Sequence, residues 1–154
     1  VDGLSSKTNF DPATPLAILW LLSGYNVDFK GKNIAIVGKG KLVGKPLEKA
    51  FLEQGITPVV ITKSTKDVKK ELLESDIIIT ATGVPGLITS DMIKPEAIVV
   101  DAGVASEGGK TVGDISEDIY QNRSDITITP QKGGVGPLTV CALFDNLIRA
   151  AQQA

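Results

Sequence analysis

Ile36-Val37-Gly38-Lys39-Gly40-Lys41-Leu42-Val43-Gly44-Lys45-Pro46 is the stretch on which the fold is decided. An apolar run that reads as a strand, residues 33–37, passes into a G-x-G-x-x-x-G loop, and a helical pattern follows over 43–54. In a strand–turn–helix of this kind the glycines have separate tasks. Gly38 permits the tight turn, Gly40 lets a pyrophosphate approach the backbone, and Gly44 lets the helix pack close on the strand. The start of the helix offers unpaired N–H groups and the positive end of its dipole to the same place. A glycine trio alone also fits an ordinary turn. In the first βα turn of a parallel α/β pattern it points to a nucleotide. Pro46 lies in the first turn of the helix, where a missing N–H costs little, and Gly55 stands just past its end.

Working outward, short β-type runs alternate with helical patterns, with no internal repeat. Strands are expected at 33–37, 58–61, 76–80, 97–101 and 126–129. Ile77-Ile78-Ile79 and Ile98-Val99-Val100 are continuously apolar, as in strands covered on both faces. Helices are expected at 14–25, 43–54, 65–74 with Thr65 as N-cap, and 137–151, and Gly108-Gly109 should turn a hairpin between Val104 and Val112. The first of them, TPLAILWLLSGY, is apolar nearly all round, so it should pack on the sheet or on a neighbouring domain. The pattern is that of an α/β protein, a Rossmann-type doubly wound, mostly parallel sheet with helices on both faces. Residues 14–154 form that domain, and the polar segment 1–13, with its Pro12, reads as a linker.

Composition narrows the function. A net charge of −2 gives no strong basic field, which argues against nucleic acid or an anionic membrane as partner. No apolar run approaches the roughly 18 residues of a membrane span. The single cysteine, Cys141, excludes an internal disulfide, and the absence of histidine disfavours a thiol or imidazole metal site. Together these features fit a cytoplasmic compartment.

NAD-binding folds usually place an acid at the end of the second strand, about 20 residues after the glycine loop, for the ribose hydroxyls. Here the stretch is Ile61-Thr62-Lys63-Ser64-Thr65-Lys66, with no acid before Asp67. Lys63, with the hydroxyls of Ser64 and Thr65, suits a 2′-phosphate, and Lys39 could reach the same group. A solvated loop lysine is the other reading, but NADP is favoured over NAD. Three further loops leave the C-terminal ends of strands, where ligands bind in open α/β sheets. They hold Ala81-Thr82-Gly83, Ala102-Gly103-Val104, and the run from Gln131 through Lys132, Gly133, Gly134, Val135, Gly136, Pro137 and Leu138 to Thr139. The last, so rich in glycine, would be costly in chain entropy as a purely structural loop. Asp101 and Asp114 read as a strand end and a turn, Cys141 as a small core residue, and Trp20 as packing.

These segments, from Pro12-Ala13-Thr14-Pro15 through the first glycine loop to Gly133-Gly134-Val135-Gly136-Pro137-Leu138-Thr139, resemble the bifunctional methylenetetrahydrofolate dehydrogenase/methenyltetrahydrofolate cyclohydrolase family. Val1-Asp2-Gly3-Leu4, Ala81-Thr82-Gly83-Val84-Pro85-Gly86, Ile93-Lys94-Pro95, Val100-Asp101-Ala102-Gly103 and Val112-Gly113-Asp114-Ile115 match as well, in order along the chain. The chain departs from the family at Ala13, where cysteine is common, at Lys39-Gly40, where Arg-Ser is common, and at Pro130-Gln131-Lys132, where Pro-Val-Pro is common. The resemblance implies an NADP-dependent dehydrogenase that oxidises 5,10-methylenetetrahydrofolate to the methenyl compound. The cofactor would lie against Gly38, Lys39, Gly40, Val43, Gly44, Lys63, Ser64, Thr65, Ala81, Thr82, Gly83, Val104 and Thr139. Of these, Gly38 to Gly40 would take the adenosine-side phosphates, Lys63 the 2′-phosphate and Val104 the nicotinamide end.

Asp2 and the loop of Lys132, Gly133, Gly134, Val135 and Gly136 would face the folate. No residue of this chain is assigned to catalysis, and no metal is implied. The resemblance further implies a homodimer and an N-terminal domain, joined through residues 1–13, whose tyrosine and lysine carry the cyclohydrolase chemistry. The chain without that domain would be inactive. A non-catalytic NAD(P)-binding or assembly module is the alternative in a different class. Another Rossmann enzyme, of the shikimate dehydrogenase kind, would not account for the last glycine loop.

Overall fold

A computed structural model describes residues 2–4 and 10–153. Helix α1 (Ala13–Gly24) precedes β1 (Ile34–Val37), α2 (Gly44–Glu53), β2 (Val59–Ile61), α3 (Val68–Glu74), β3 (Ile77–Thr80) and β4 (Ile98–Asp101). A hairpin of β5 (Ala105–Glu107) and β6 (Lys110–Val112), then α4 (Glu117–Asn122), β7 (Thr127–Ile128) and α5 (Val135–Gln153), complete the chain. The main sheet has the order β2-β1-β3-β4-β7 and every neighbouring pair is parallel.

Continuous apolarity in the strands has a direct consequence. Successive side chains point to opposite faces, so a strand with no polar position must be covered on both. Ile34 and Ile36 of β1 and Ile77 and Ile79 of β3 pack with Ala17, Ile18 and Leu22 of α1 and Leu47 and Phe51 of α2. Their alternates, Ala35, Val37 and Ile78, pack with Leu72 of α3 and Ile119 of α4 on the other face. The sheet is therefore doubly wound, as expected. With β2 on one side of β1 and β3 on the other, the strand order reverses beside β1, and a crevice opens at the C-terminal ends of these strands.

The expected strands hold to within about a residue at most ends. Three local readings are corrected. The helix expected from Thr65 begins at Val68, because the Thr65 hydroxyl accepts the Thr62 N–H (3.0 Å) and Asp67 caps the helix by accepting from Lys70 N (3.0 Å). The last helix begins at Val135, two residues early, and Pro137 falls in its first turn, where N–H groups have no intrahelical acceptor. Cys141 is exposed: α5 turns Ala142 and Asn146 inward at helical spacing, and the neighbouring position faces out. Trp20 also stands 38% exposed, on the outer side of α1.

Two short elements carried too few residues to show a period, the 3-10 turn Ser90–Met92 and α4. Between them Ile88 and Ile115 form an isolated parallel bridge, and both are buried. The expected hairpin is present, with Gly108 and Gly109 at φ +55° and +77°.

Helix α1 lies against α5, and the Thr139 hydroxyl meets that of Thr14 at 3.4 Å. Of the segment read as a linker, Val1 and residues 5–9 lie outside the described residues. Its end is docked on α5, where Asn146 Nδ2 donates to the Asp11 carbonyl (2.8 Å). No helix among the described residues is long and apolar enough to cross a membrane.

Asp76 ties the entry of β3 to two other segments. It accepts from Asn33 N (2.8 Å) and pairs with Lys94 Nζ (2.6 Å). The Lys94 hydrogen bond, then that of Asn33, holds the carboxyl below its ordinary value of 3.8. A lowered carboxyl stabilises the fold above its unfolded pKa, and that contribution is lost as the pH falls through the folded one. Lys94→Met should therefore cost about 0.5 kcal/mol at neutral pH, the scale of a pair near the surface. The cost should vanish in acid, once Asp76 is protonated in both proteins. Thermal melts of the two proteins across that range check it.

Candidate functional site

The site is built from five loops at the C-terminal edge of the sheet. In the first, Gly38 has φ +101°, a region that side chains with a Cβ rarely adopt. Gly44, the first residue of α2, lies so close beneath it that a Cβ would stand 2.0 Å from the Gly38 carbonyl oxygen. Gly40 is different: nothing lies within 4 Å of where its Cβ would be. Gly38 and Gly44 thus hold the turn, while Gly40 leaves open space above it. That open space leaves room for a pyrophosphate to approach the backbone at the helix start. Val43 is half-buried and packs into the core below. Lys39 pairs with Glu48 of α2 (3.1 Å).

After β2 the chain makes a turn closed by Thr65 N donating to the Thr62 carbonyl (3.0 Å). The Ser64 hydroxyl bonds that of Thr62 (2.8 Å), and Thr65 accepts from Thr62 N, so both hydroxyls are engaged in building the turn. Lys63 stands exposed at its tip, in no ion pair among the described residues. The next acid, Asp67, is occupied as the cap of α3.

Two aspartates, Asp114 buried and Asp101 half-buried, organise the loops after β3 and β4. Asp114 has no exposed surface and accepts from the Thr80 hydroxyl, Thr82 N (2.6 Å) and Val84 N (3.0 Å). Asp101 accepts from Gly103 N (2.9 Å), Asp114 N (3.2 Å) and Ile115 N (3.1 Å). Burial pushes the Asp101 carboxyl up against the lowering effect of those N–H groups, and the nearby Asp114 pushes it further. Burial likewise raises the Tyr120 phenol, with Asp101 beside it adding to the shift. The places expected from the sequence, a strand end and a turn, are where these acids sit, but their part in the site was not legible there. The signal was Gly103 and Gly113, each within two residues of one of the acids in the chain and each without room for a Cβ.

The structure brings Gly38, Ala81, Thr82, Gly83 and Val104 together. A Cβ on Gly38 would meet the Ala81 carbonyl at 3.0 Å, and one on Gly83 the Val104 carbonyl at 3.4 Å. Val104 itself is 73% exposed at this edge. In the last loop Lys132 and Gly133 are exposed, Gly134 lies over the Pro130 carbonyl, and Gly136 is exposed in the first turn of α5. Val135 is 5% exposed and belongs to the core beside α1, so it anchors that loop from below. Thr139 turns its hydroxyl to the Val135 carbonyl (3.2 Å) and to Thr14. Asp2 accepts from Leu4 N (3.1 Å), a bond within its own turn.

The family model described as tetrahydrofolate dehydrogenase/cyclohydrolase, NAD(P)-binding domain, matches residues 12–154. The bifunctional protein FolD of Hydrogenobaculum sp. is 48% identical over 145 residues, 94% of this chain and 51% of that protein. FolD of Aquifex aeolicus is 48% identical over 144 residues, 94% of this chain and 49% of that protein. Among solved structures, the bifunctional FolD methylenetetrahydrofolate dehydrogenase/cyclohydrolase of Campylobacter jejuni superposes with a TM-score of 0.87 at 38% identity, covering 96% of this chain and 52% of that one. The Trypanosoma brucei methylenetetrahydrofolate dehydrogenase-cyclohydrolase, complexed with NADP and an inhibitor, gives 0.81 at 31% identity, covering 93% of this chain and 52% of that one. The chain spans about half the length of the curated relatives it matches.

The unlike surroundings of the glycines separate stability from binding. Gly44→Ala should destabilise the fold by about 1–3 kcal/mol, the range for overpacking, because its Cβ meets backbone. Gly40→Val should leave the urea midpoint nearly unchanged and abolish dinucleotide binding. Normal binding by the valine variant would move the phosphates elsewhere.

Proposed function

Since this chain belongs to the tetrahydrofolate dehydrogenase/cyclohydrolase family, as its NAD(P)-binding domain, we propose that it forms the cofactor side of an NADP-dependent 5,10-methylenetetrahydrofolate dehydrogenase. When bound, the cofactor supplies a hydride acceptor, and oxidation of the methylene carbon leaves the methenyl compound. The residues of the chain bind and orient. Gly38, Lys39 and Gly40 hold the adenosine-side phosphates, with Gly44 keeping the start of α2 beneath them. Lys63 takes the 2′-phosphate. Ala81 to Gly83 and Val104 border the nicotinamide half, and Lys132 to Gly136 form the wall shared with folate, with Asp2 toward the substrate.

The observation that carries NADP over NAD is the turn after β2. Its exposed tip is Lys63, and the first acid beyond it faces the helix it caps. That arrangement offers a cation to a 2′-phosphate and sets no carboxylate against it. Lys39 is the weaker contributor, since Glu48 already balances its charge.

The substrate side of the cleft is supplied, in this reading, by the part of the protein that corresponds to the remaining length of the relatives, where the cyclohydrolase chemistry also belongs. Positioning of donor carbon and nicotinamide at near-attack distance can supply roughly 7–11 kcal/mol of barrier reduction, and a cleft with one wall cannot provide it. The protein works in the cytoplasm as a homodimer. Two described surfaces suit assembly: the β5–β6 hairpin, and the outer face of α5 with Val140, Phe144 and Ile148 more than half exposed.

Isothermal titration with NADP and NAD tests the cofactor, and the wild type should prefer NADP. Lys63→Glu should lower NADP affinity by about 1.5–3 kcal/mol, the worth of a charge-assisted contact, and spare NAD. Equal affinities in the wild type, or equal losses in the variant, would remove the assignment. For the reaction, the absorbance of reduced nicotinamide is followed with 5,10-methylenetetrahydrofolate and NADP. Turnover should be negligible with the chain alone and should rise when the other half of a relative is added. Full turnover by the chain alone would show that the cleft is complete without it.

A further inference from the structure

The two aspartates behind the β3 and β4 loops are crossed. Asp101, on the end of β4, reaches to the backbone of Asp114 and Ile115, while Asp114 reaches back to the loop after β3. Each carboxylate occupies the side-chain space of a glycine close to the other in the chain, Gly103 two residues after Asp101 and Gly113 just before Asp114. A Cβ on Gly103 would stand 2.0 Å from Asp114 Oδ1, and one on Gly113 would stand 2.0 Å from Asp101 Oδ2. Two acids this close, Asp114 fully and Asp101 partly buried, carry a desolvation cost that a simple turn would not need.

The arrangement also decides what the loop can bind. Backbone N–H groups at the C-terminal edge of such a sheet are the usual donors to phosphate. Here the N–H groups of Thr82 and Val84 both point inward, to Asp114. The loop therefore withholds two donors from an anion and has a carboxylate behind it. A neutral or cationic ligand group suits that environment, and the oxidised nicotinamide ring is cationic where the reduced ring is neutral.

We propose that Asp114 is a positioning residue that fixes the Thr82–Val84 backbone from behind and tunes this end of the cleft toward the oxidised nicotinamide, with Asp101 holding Asp114 in place. This rests on the cofactor reading above, which sets the nicotinamide half beside this loop and Val104.

The test is binding of NADP+, NADPH and 2′,5′-ADP to the full chain, wild type and Asp114→Asn. The amide removes the charge and sets an N–H₂ or a single oxygen against the two backbone donors. NADP+ affinity should fall roughly tenfold, NADPH affinity roughly threefold or less, and that of 2′,5′-ADP, which lacks the nicotinamide half, should stay within about twofold. A merely structural role would lower all three together, and that result, or an unchanged ratio of oxidised to reduced affinity, overturns the proposal. Gly103→Ala, which displaces the carboxylate without removing its charge, should weaken both NADP+ and NADPH and again spare 2′,5′-ADP.

Should both variants fail to fold, amide hydrogen exchange in the wild type decides. Thr82 and Val84 should be protected without cofactor and unchanged by NADP+. Protection gained only on adding NADP+ would mean that those donors serve the ligand, against the proposal. A wild type that binds neither NADP+ nor 2′,5′-ADP would instead overturn the cofactor reading, and this proposal with it.

Discussion

Buried backbone N–H groups must find acceptors, and at the C-terminal edge of this sheet two carboxylates meet that requirement. Asp114 gathers the Thr80 hydroxyl and the N–H groups of Thr82 and Val84, and Asp101 gathers those of Gly103, Asp114 and Ile115. Without them the loops after β3 and β4 would leave those donors buried and unmet, at about 1–3 kcal/mol for each such group. The same contacts join the segment after the β5–β6 hairpin to the strand ends, so that chain far apart in sequence closes one wall of the crevice. The Ile88–Ile115 bridge continues this join, with Ile88 N donating to the Asp114 carbonyl (3.0 Å).

The crevice itself follows from the sheet. Because β1 throughout and β3 up to Thr80 are apolar and buried, helices must cover both faces, and only the strand ends remain for a ligand. At those ends the chain divides the work by charge. The glycine turn after β1 presents open backbone at the start of a helix, and Lys63 projects beyond β2 as a cation. The β3 and β4 loops, one strand further along, are backed by acids. A ligand that is anionic at one end and neutral or cationic at the other fits this gradient, as a dinucleotide with a 2′-phosphate does.

Much of this was legible along the chain, and the reason is local. Gly38 and Gly44 sit where a strand must turn into a helix, and their spacing reports that turn directly. The central strands β1 and β3 were legible because burial on both faces leaves runs such as Ile77-Ile78-Ile79. Local competition explains the errors. Thr65 looks like a cap, but its hydroxyl is taken by the Thr62 N–H, and Asp67, two residues on, does the capping. Cys141 resembles a core residue by type, yet the inward face of α5 runs through Ala142 and Asn146. Val135 lies inside the last glycine loop, and its burial beside α1, which anchors the loop, is not legible in the linear pattern.

The parallel α/β architecture, the family and the glycine turn after β1 are all written in residues adjacent in the chain or repeating at a fixed period. Tertiary structure alone shows that Asp101 and Asp114 tie the loops after β3 and β4 together. Their partners lie up to 34 residues away, and nothing in a linear pattern distinguishes an aspartate at a strand end from one whose carboxylate is aimed at another loop's N–H groups. The same holds for Lys39, whose charge is met by Glu48 one turn into α2, and for Thr139, turned toward α1. A side chain's identity is local, but its partner is chosen by packing.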